Sequence, residues 1–217
     1  MVNQIKILPT RERVASELRK AILTEDFAPG TELNQSKIAD MLGVSRMPVR
    51  EAIQMLASEG LIEMRPNRSA IVQQVPDAFI REHFDVRILL ECEAAARACA
   101  NMKEYRQLLK EIHAHHKEAV ESGRMEDIQD TNQSFHILIW DAAGNRRLKT
   151  LLMQLWNGVA ISRPSDSILH LHDEHDQVVA ALVNEDPGAA REAMRRHLER
   201  SMQDILNRQI YRKKESI

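Results

Sequence analysis

The stretch "VSRMPVREA" (residues 44–52) places a proline between two arginines inside a helical pattern. Proline in a helix interior removes a hydrogen bond and clashes with the preceding turn, at a cost of about 3 kcal/mol. The stretch therefore makes sense only at a helix start. With Ser45 as N-cap, Pro48 falls in the first turn, where backbone N–H groups have no intrahelical partner. Val49, Ala52, Ile53 and Leu56 then share one face of a helix that runs to Gly60, while Arg46 and Arg50, four apart, share another.

Working outward, "NQSKIADML" (34–42) sets Ile38, Ala39 and Leu42 on one face and is stopped by Gly43. Before it, Thr10 caps "RERVASELRKAIL" (11–23), where Val14, Leu18 and Ile22 recur at helical spacing, and Pro29-Gly30 marks the turn between. A short helix, a tight turn at "LGVS" and a second helix opening with two exposed arginines form a helix-turn-helix pattern. Past Gly60 the period changes. "LIEM" (61–64) and "AIVQQV" (70–75) are strand candidates around the turn-prone "RPNRS" (65–69), which makes a wing with Arg65 and Arg68 at its tip. Such a shape also occurs in protein-binding domains, and two arginines one turn apart are often only solvated.

Composition agrees with a mainly helical, soluble chain. Ala, Leu, Met, Glu, Arg and Gln are common and aromatics amount to 4%. No apolar run approaches the roughly 20 residues of a membrane span, and "MVNQIKILPTRER" (1–13) lacks a signal-peptide core, so a cytoplasmic location is expected. Cys92 and Cys99 lie roughly 10 Å apart along a helix, too far for a disulfide, and read as reduced thiols. Residues 1–76 hold ten Lys/Arg against nine Asp/Glu, net +1; the remainder holds twenty against twenty-three, net −3, and all nine histidines. A near-neutral reading head gains phosphate contacts by being paired in a dimer.

After "QVPDAF" (74–79) the pattern is helical throughout, with helices expected at 78–100, 103–122, 125–143, 145–161, 168–184 and 187–211 and a fraying basic tail. The domains are therefore 1–75, a winged helix-turn-helix, and 76–217, an antiparallel all-helical bundle. His175 lies about ten residues before the turn at Glu185-Asp186 and His197 about eleven after it. In an antiparallel helix pair both travel about 15 Å from the turn, reach the same level and can face one another. His136 has Asn132 one turn before it, a pair that can converge on one ion. Three imidazoles and an amide oxygen suit zinc, or nickel and manganese as alternatives. His170 and His172 compete with His175 for the role, while His113, His115 and His116 read as a solvated face.

Two resemblances sharpen these readings. Residues 10–75 resemble the winged helix-turn-helix of the GntR family of bacterial transcription regulators, through Pro29-Gly30, Ile38-Ala39, Leu42-Gly43, "SRMPVREA", "EGL" and "RPNRSAIV". The resemblance implies DNA contacts from Ser36, Ser45, Arg46 and Arg50 in the major groove and from Arg65, Asn67 and Arg68 on the wing. Ser69 stands where the family's wing commonly has glycine. Residues 79–205 are similar to the all-helical FCD ligand-binding domain of the FadR group, through "VRILLECEAAARACA", "NQSFHILIWDAAGN" and "DEHDQVVAALVNEDPGAAREAMRRHLE". Six helices match its shorter, VanR-like branch. The resemblance implies a metal held by Asn132, His136, His175 and His197, selecting His175 over His172. Asp is more frequent at the position of Asn132, so this ligand set is uncharged. It also implies a small carboxylate effector on the metal, aided by an arginine: Arg87, unless it pairs with Glu91 one turn on, or Arg163.

The function expected is therefore a homodimeric regulator, a repressor in most relatives, on a short inverted repeat of double-stranded DNA and released by a small carboxylate. A purely structural metal is one alternative. A metal-dependent hydrolase is another, but no Ser/His/Asp or Cys/His arrangement or Gly-rich phosphate loop is present, and Glu174 beside His175 points about 100° away.

Overall fold

The computed structural model describes the backbone of residues 10–66, 69–156 and 167–215, with side chains for all of these except 167–172 and 208–215. The described residues fall into two compact units. One reaches as far as Ile80 and takes in Trp156 and the chain from Ile205; the other runs from Arg81 to Leu155 and, among the described residues, from 167 to Asp204.

In the first unit the order is α1 (Thr10–Leu23), β1 (Glu32–Leu33), α2 (Gln35–Leu42), α3 (Arg46–Ser58), β2 (Ile62–Met64) and β3 (Ala70–Val72). The apolar face expected of α3 is its buried face: Val49, Ala52, Ile53 and Leu56 are all 0% exposed, packed with Val14, Leu18 and Ile22 of α1. Pro48 is the third residue of the helix, where it displaces no helical hydrogen bond. Ser45 occupies the N-cap with extended backbone, but its hydroxyl makes no capping bond, contrary to expectation. The side-chain cap belongs instead to Asn34, whose Oδ1 accepts from the N–H groups of Ser36 and Lys37 at the start of α2. Gly43, at φ 63°, ends α2 in the left-handed region that favours glycine.

The wing is larger than expected. β1 joins it as a third strand in the antiparallel order β1-β3-β2, with Glu32 opposite Ile71 and Glu63 on the other side of Ile71. Arg65 N–H donates to the Ser69 carbonyl at 2.9 Å, closing the hairpin. The only non-glycine residues at positive φ among those described are Glu25 and Glu185, so Ser69 stands where glycine's backbone freedom is not needed. Beneath the sheet Arg19, 1% exposed, donates from Nε (2.8 Å) and Nη2 (2.6 Å) to the Glu59 carboxylate at the end of α3, and from Nη1 to the Trp156 carbonyl.

After β3 the order is α4 (Asp77–Ala98), α5 (Met102–Ser122), α6 (Met125–Ala142), α7 (Arg146–Leu155), α8 (Ser167–Val183) and α9 (Pro187–Glu215), all in the second unit except α4 as far as Ile80 and α9 from Ile205. Five of the six expected spans begin and end close to these. The fourth does not: α7 stops at Leu155 and Trp156 is already non-helical, while the rest of the expected span lies outside the described residues. The expected fraying tail is helical to Glu215. Asp186 caps α9 as anticipated, accepting from the N–H groups of Gly188 and Ala189. α5 packs against both α6 and α8. Around this packing lie Met102, Leu109, Phe135 and Trp140, each no more than 1% exposed.

Candidate functional sites: a cationic cleft and a buried histidine cluster

In the reading head, Ser36, Lys37, Arg46, Arg50 and Ser69 line one cleft of about 560 Å³ together with Asn34. Two helix starts, those of α2 and α3, contribute to it and turn their positive dipole ends toward it; α2 is capped by Asn34, whereas α3 has no side-chain cap bond. Ser36, Ser45, Arg46 and Arg50 are all exposed. Arg65 is exposed on the wing, 3.9 Å from Glu63. Asn67 and Arg68 lie outside the described residues. The cleft therefore offers three exposed cations against one carboxylate, Glu32, with hydroxyls and helix ends on the same concave surface, a donor set suited to phosphate oxygens and base edges.

The second unit hides its chemistry. Ring nitrogens of His136 (α6), His175 (α8) and His197 (α9) lie within 4.8 Å of one another, and the three residues are 1%, 0% and 3% exposed. Asn132, one turn before His136, is 3% exposed and its Oδ1 has no hydrogen-bond partner among the described residues. Neither ring nitrogen of His175 has one.

Two of the imidazoles are held from behind by carboxylates. His136 Nδ1 donates to Glu91 Oε2 at 2.6 Å, and Glu91 Oε1 accepts from Arg87 Nε (3.0 Å) and Nη2 (2.5 Å). His197 Nδ1 donates to Glu174 Oε2 at 3.1 Å, and Glu174 Oε1 accepts from Arg200 Nε at 2.7 Å. An ionised carboxylate can only accept, so Nδ1 carries the proton in both rings and Nε2 carries a lone pair. Those two Nε2 atoms face one another at 3.3 Å. Two bare lone pairs at that distance repel unless a cation or proton lies between them. Two nitrogens about 2.0–2.1 Å from one tetrahedral ion are about 3.3 Å apart. The residues fit a divalent metal: a pre-set pair of lone pairs, a third buried imidazole and an orphaned amide oxygen.

The electrostatics follow from burial and these partners. Burial alone would push the Glu91 carboxyl up, but Arg87 and His136 more than offset it and hold Glu91 well below the usual carboxylate range. Glu174 is likewise pushed up by burial and brought below its ordinary value by hydrogen bonds from His197 and Arg200. Burial lowers His197 to about 4, against the pull of Glu174. Burial and the neighbouring histidines put His175 well below the ordinary imidazole value. His175 and His197 are thus neutral at physiological pH, the state in which imidazole ligates. Burial also pushes the Cys92 thiol up to about 12, so it is an inert core residue.

Of the alternatives for Arg87, the ion pair is present: the carboxylate it holds is Glu91. Arg163 lies outside the described residues, as do the side chains of His170 and His172. His115 is exposed as expected, but the solvated-face reading fails for His116, which is 0% exposed and 4.6 Å from the His175 ring, centroid to centroid. Its signal was available: Leu109, Ile112, His116 and Ala119 share the apolar spacing of α5. Sequence reasoning missed Glu91 and Glu174 as holders of the rings, because carboxylates on helices normally face solvent.

Comparison with known proteins places both units. Residues 82–200 match the FCD domain model, and residues 10–72 match that of the bacterial regulatory proteins of the gntR family. The chain belongs to the GntR-type regulators that carry an FCD domain. The HTH-type transcriptional repressor RspR of Escherichia coli is 29% identical over 207 residues, covering 91% of this chain and 89% of that protein. The D-xylose utilization operon transcriptional repressor of Paenarthrobacter nicotinovorans is 29% identical over 201 residues, 87% of each chain. The fold is that of E. coli McbR/YncC, with a TM-score of 0.73 over 93% of this chain and 99% of that one at 23% identity. A metal-free FCD domain, that of TM0439, matches 64% of this chain with a TM-score of 0.55 at 20% identity. This GntR/FCD protein is accordingly a DNA-binding transcriptional regulator, and its relatives are regulators rather than enzymes. No described helix is long and apolar enough to cross a membrane.

Proposed function

We propose that this regulator is a homodimeric repressor that binds a short inverted repeat through Arg46 and Arg50, and that a small carboxylate bound at the histidine cluster weakens that binding. The repressor names among its relatives support the direction of control. Ser36 and Ser45 serve phosphates beside the two arginines, and Arg65, Asn67 and Arg68 serve the wing.

The observation that carries the effector half is the facing pair of Nε2 lone pairs at 3.3 Å, with Asn132, buried one turn before His136, holding an Oδ1 that has no hydrogen-bond partner among the described residues. Asn132, His136, His175 and His197 would hold a divalent metal, zinc by ligand type, with nickel or manganese as alternatives. When bound, the metal would supply positive charge and Lewis acidity. The ligand set adds no negative charge, and Glu91 and Glu174 are each already balanced by an arginine. The site therefore retains its attraction for an anion, and a small carboxylate is the chemistry that answers it. An effector shifts operator binding only by its difference in affinity between two conformations.

Two measurements test the reading. Elemental analysis of untagged protein should find about one zinc, nickel or manganese per chain in wild type and none in His136→Ala; no metal in either rejects the site. Fluorescence anisotropy on a duplex selected from a random pool should show Arg46→Ala and Arg50→Ala each weakening binding by about 5- to 150-fold, the range of one bidentate arginine–guanine contact. Unchanged affinity in both variants rejects their role.

A further inference from the structure

His175 differs from its two neighbours in what holds it. His136 and His197 each have Nδ1 fixed by a carboxylate that is itself fixed by an arginine. Among the described residues His175 has no hydrogen-bond partner on either nitrogen, although it is 0% exposed. Ring contacts alone position it: Phe135 stacks on it at 4.3 Å and 22°, with His116 at 4.6 Å and His197 at 4.9 Å. Outer partners of a ligating histidine raise its basicity and fix its orientation, and losing one costs about 10–100-fold in metal affinity. His175 lacks that support.

We propose that His175 is the exchangeable ligand of the site. A carboxylate oxygen takes its coordination position while His136 and His197 stay bound. The exchange breaks one nitrogen–metal bond and forms one oxygen–metal bond, with no proton or electron moved. The released ring already has a resting place, since stacking on Phe135 holds it without any polar partner. Because His175 sits on α8 whereas His136 and His197 sit on α6 and α9, exchange removes the metal's tie to α8 and leaves Glu174, bonded to His197 and Arg200, as the polar link of α8 to α9 at this level. Effector binding is thereby written into the position of one helix. The inference rests on the metal reading above.

The test uses full-length protein, zinc and acetate. Competition with a chromophoric chelator should show that His175→Phe, which keeps the stack on Phe135, still binds one zinc per chain within about 100-fold of wild-type affinity. His136→Phe and His197→Phe should lose stoichiometric zinc. In zinc-loaded wild type with 15N-labelled histidine, saturating acetate should return one imidazole, absent from the His175→Phe spectrum, to its metal-free shift. His175→Phe losing zinc as completely as the other two overturns the proposal, as does acetate leaving all three rings zinc-bound. Wild type that binds no zinc or other divalent metal overturns the metal reading beneath it as well.

Discussion

His136 and His197 are held by the same three-part chain of arginine, glutamate and imidazole, yet one chain is sealed and the other is wet. Glu91 is 0% exposed and Arg87 4% by side chain, and Trp140 Nε1 adds a third donor to Glu91 at 3.3 Å. Glu174 and Arg200 keep 18% and 22% of their side-chain exposure, and Arg200 also reaches Asp204. The same connectivity therefore has two different liabilities. In the sealed chain, loss of one member strands a charge that water cannot reach, so the chain is part of the fold. In the wet chain water can replace a missing partner, so its contribution is confined to the imidazole it orients.

The largest effect should come from removing the sealed carboxylate. Glu91→Ala removes the carboxylate that Arg87 is buried against, and breaking a buried ion pair in this way costs roughly 3–5 kcal/mol. Its thermal unfolding midpoint should fall sharply even without metal. A melt within a degree or two of wild type would erase the distinction between the chains. Next, Glu174→Gln should leave the metal-free melt nearly unchanged while weakening zinc binding by about 10–100-fold in a chelator competition. A large loss of stability there would make the second chain structural too. The smallest effect is in pH. Unfolded His197 takes its proton near 6.5, whereas the folded protein holds it neutral down to about 4. The unfolded state thus binds more protons between these values, and metal-free stability should decline as pH falls from 6.5 toward 4. His197→Gln should remove part of that decline; an identical slope in both proteins would show that His197 is not sealed.

The reading head was legible because its signals are consecutive. Proline at a helix start, a glycine stop and arginines one turn apart need no knowledge of distant neighbours. β1 escaped because two residues carry no period, and Ser45's hydroxyl could not be distinguished from a capping one without the backbone around it. In the helical unit, equal distance from a turn brought His175 and His197 together correctly, and i,i+4 spacing pointed to Asn132, which is buried one turn before His136. The chain from Glu174 to Arg200 obeys the same level rule across the α8–α9 turn, but helical surfaces are full of such charges, and only burial separates the one that matters. His116 was misread because the neighbouring His115, which is exposed, and the half-buried His113 drew the whole run toward solvent, although Ile112 and Ala119 mark its face as apolar.

Arg19 also sets an order on how this protein can change over generations. Its guanidinium is 1% exposed by side chain, while its partner Glu59 keeps 27%. An apolar replacement at position 19 leaves Glu59 with access to water. A neutral replacement at position 59 leaves a cation in the dark. The two residues can be exchanged for an uncharged pair, but the steps are not interchangeable: the arginine has to go first. A lineage that lost the glutamate first would carry a destabilised reading head until the second change arrived, so selection passes through this pair in one direction.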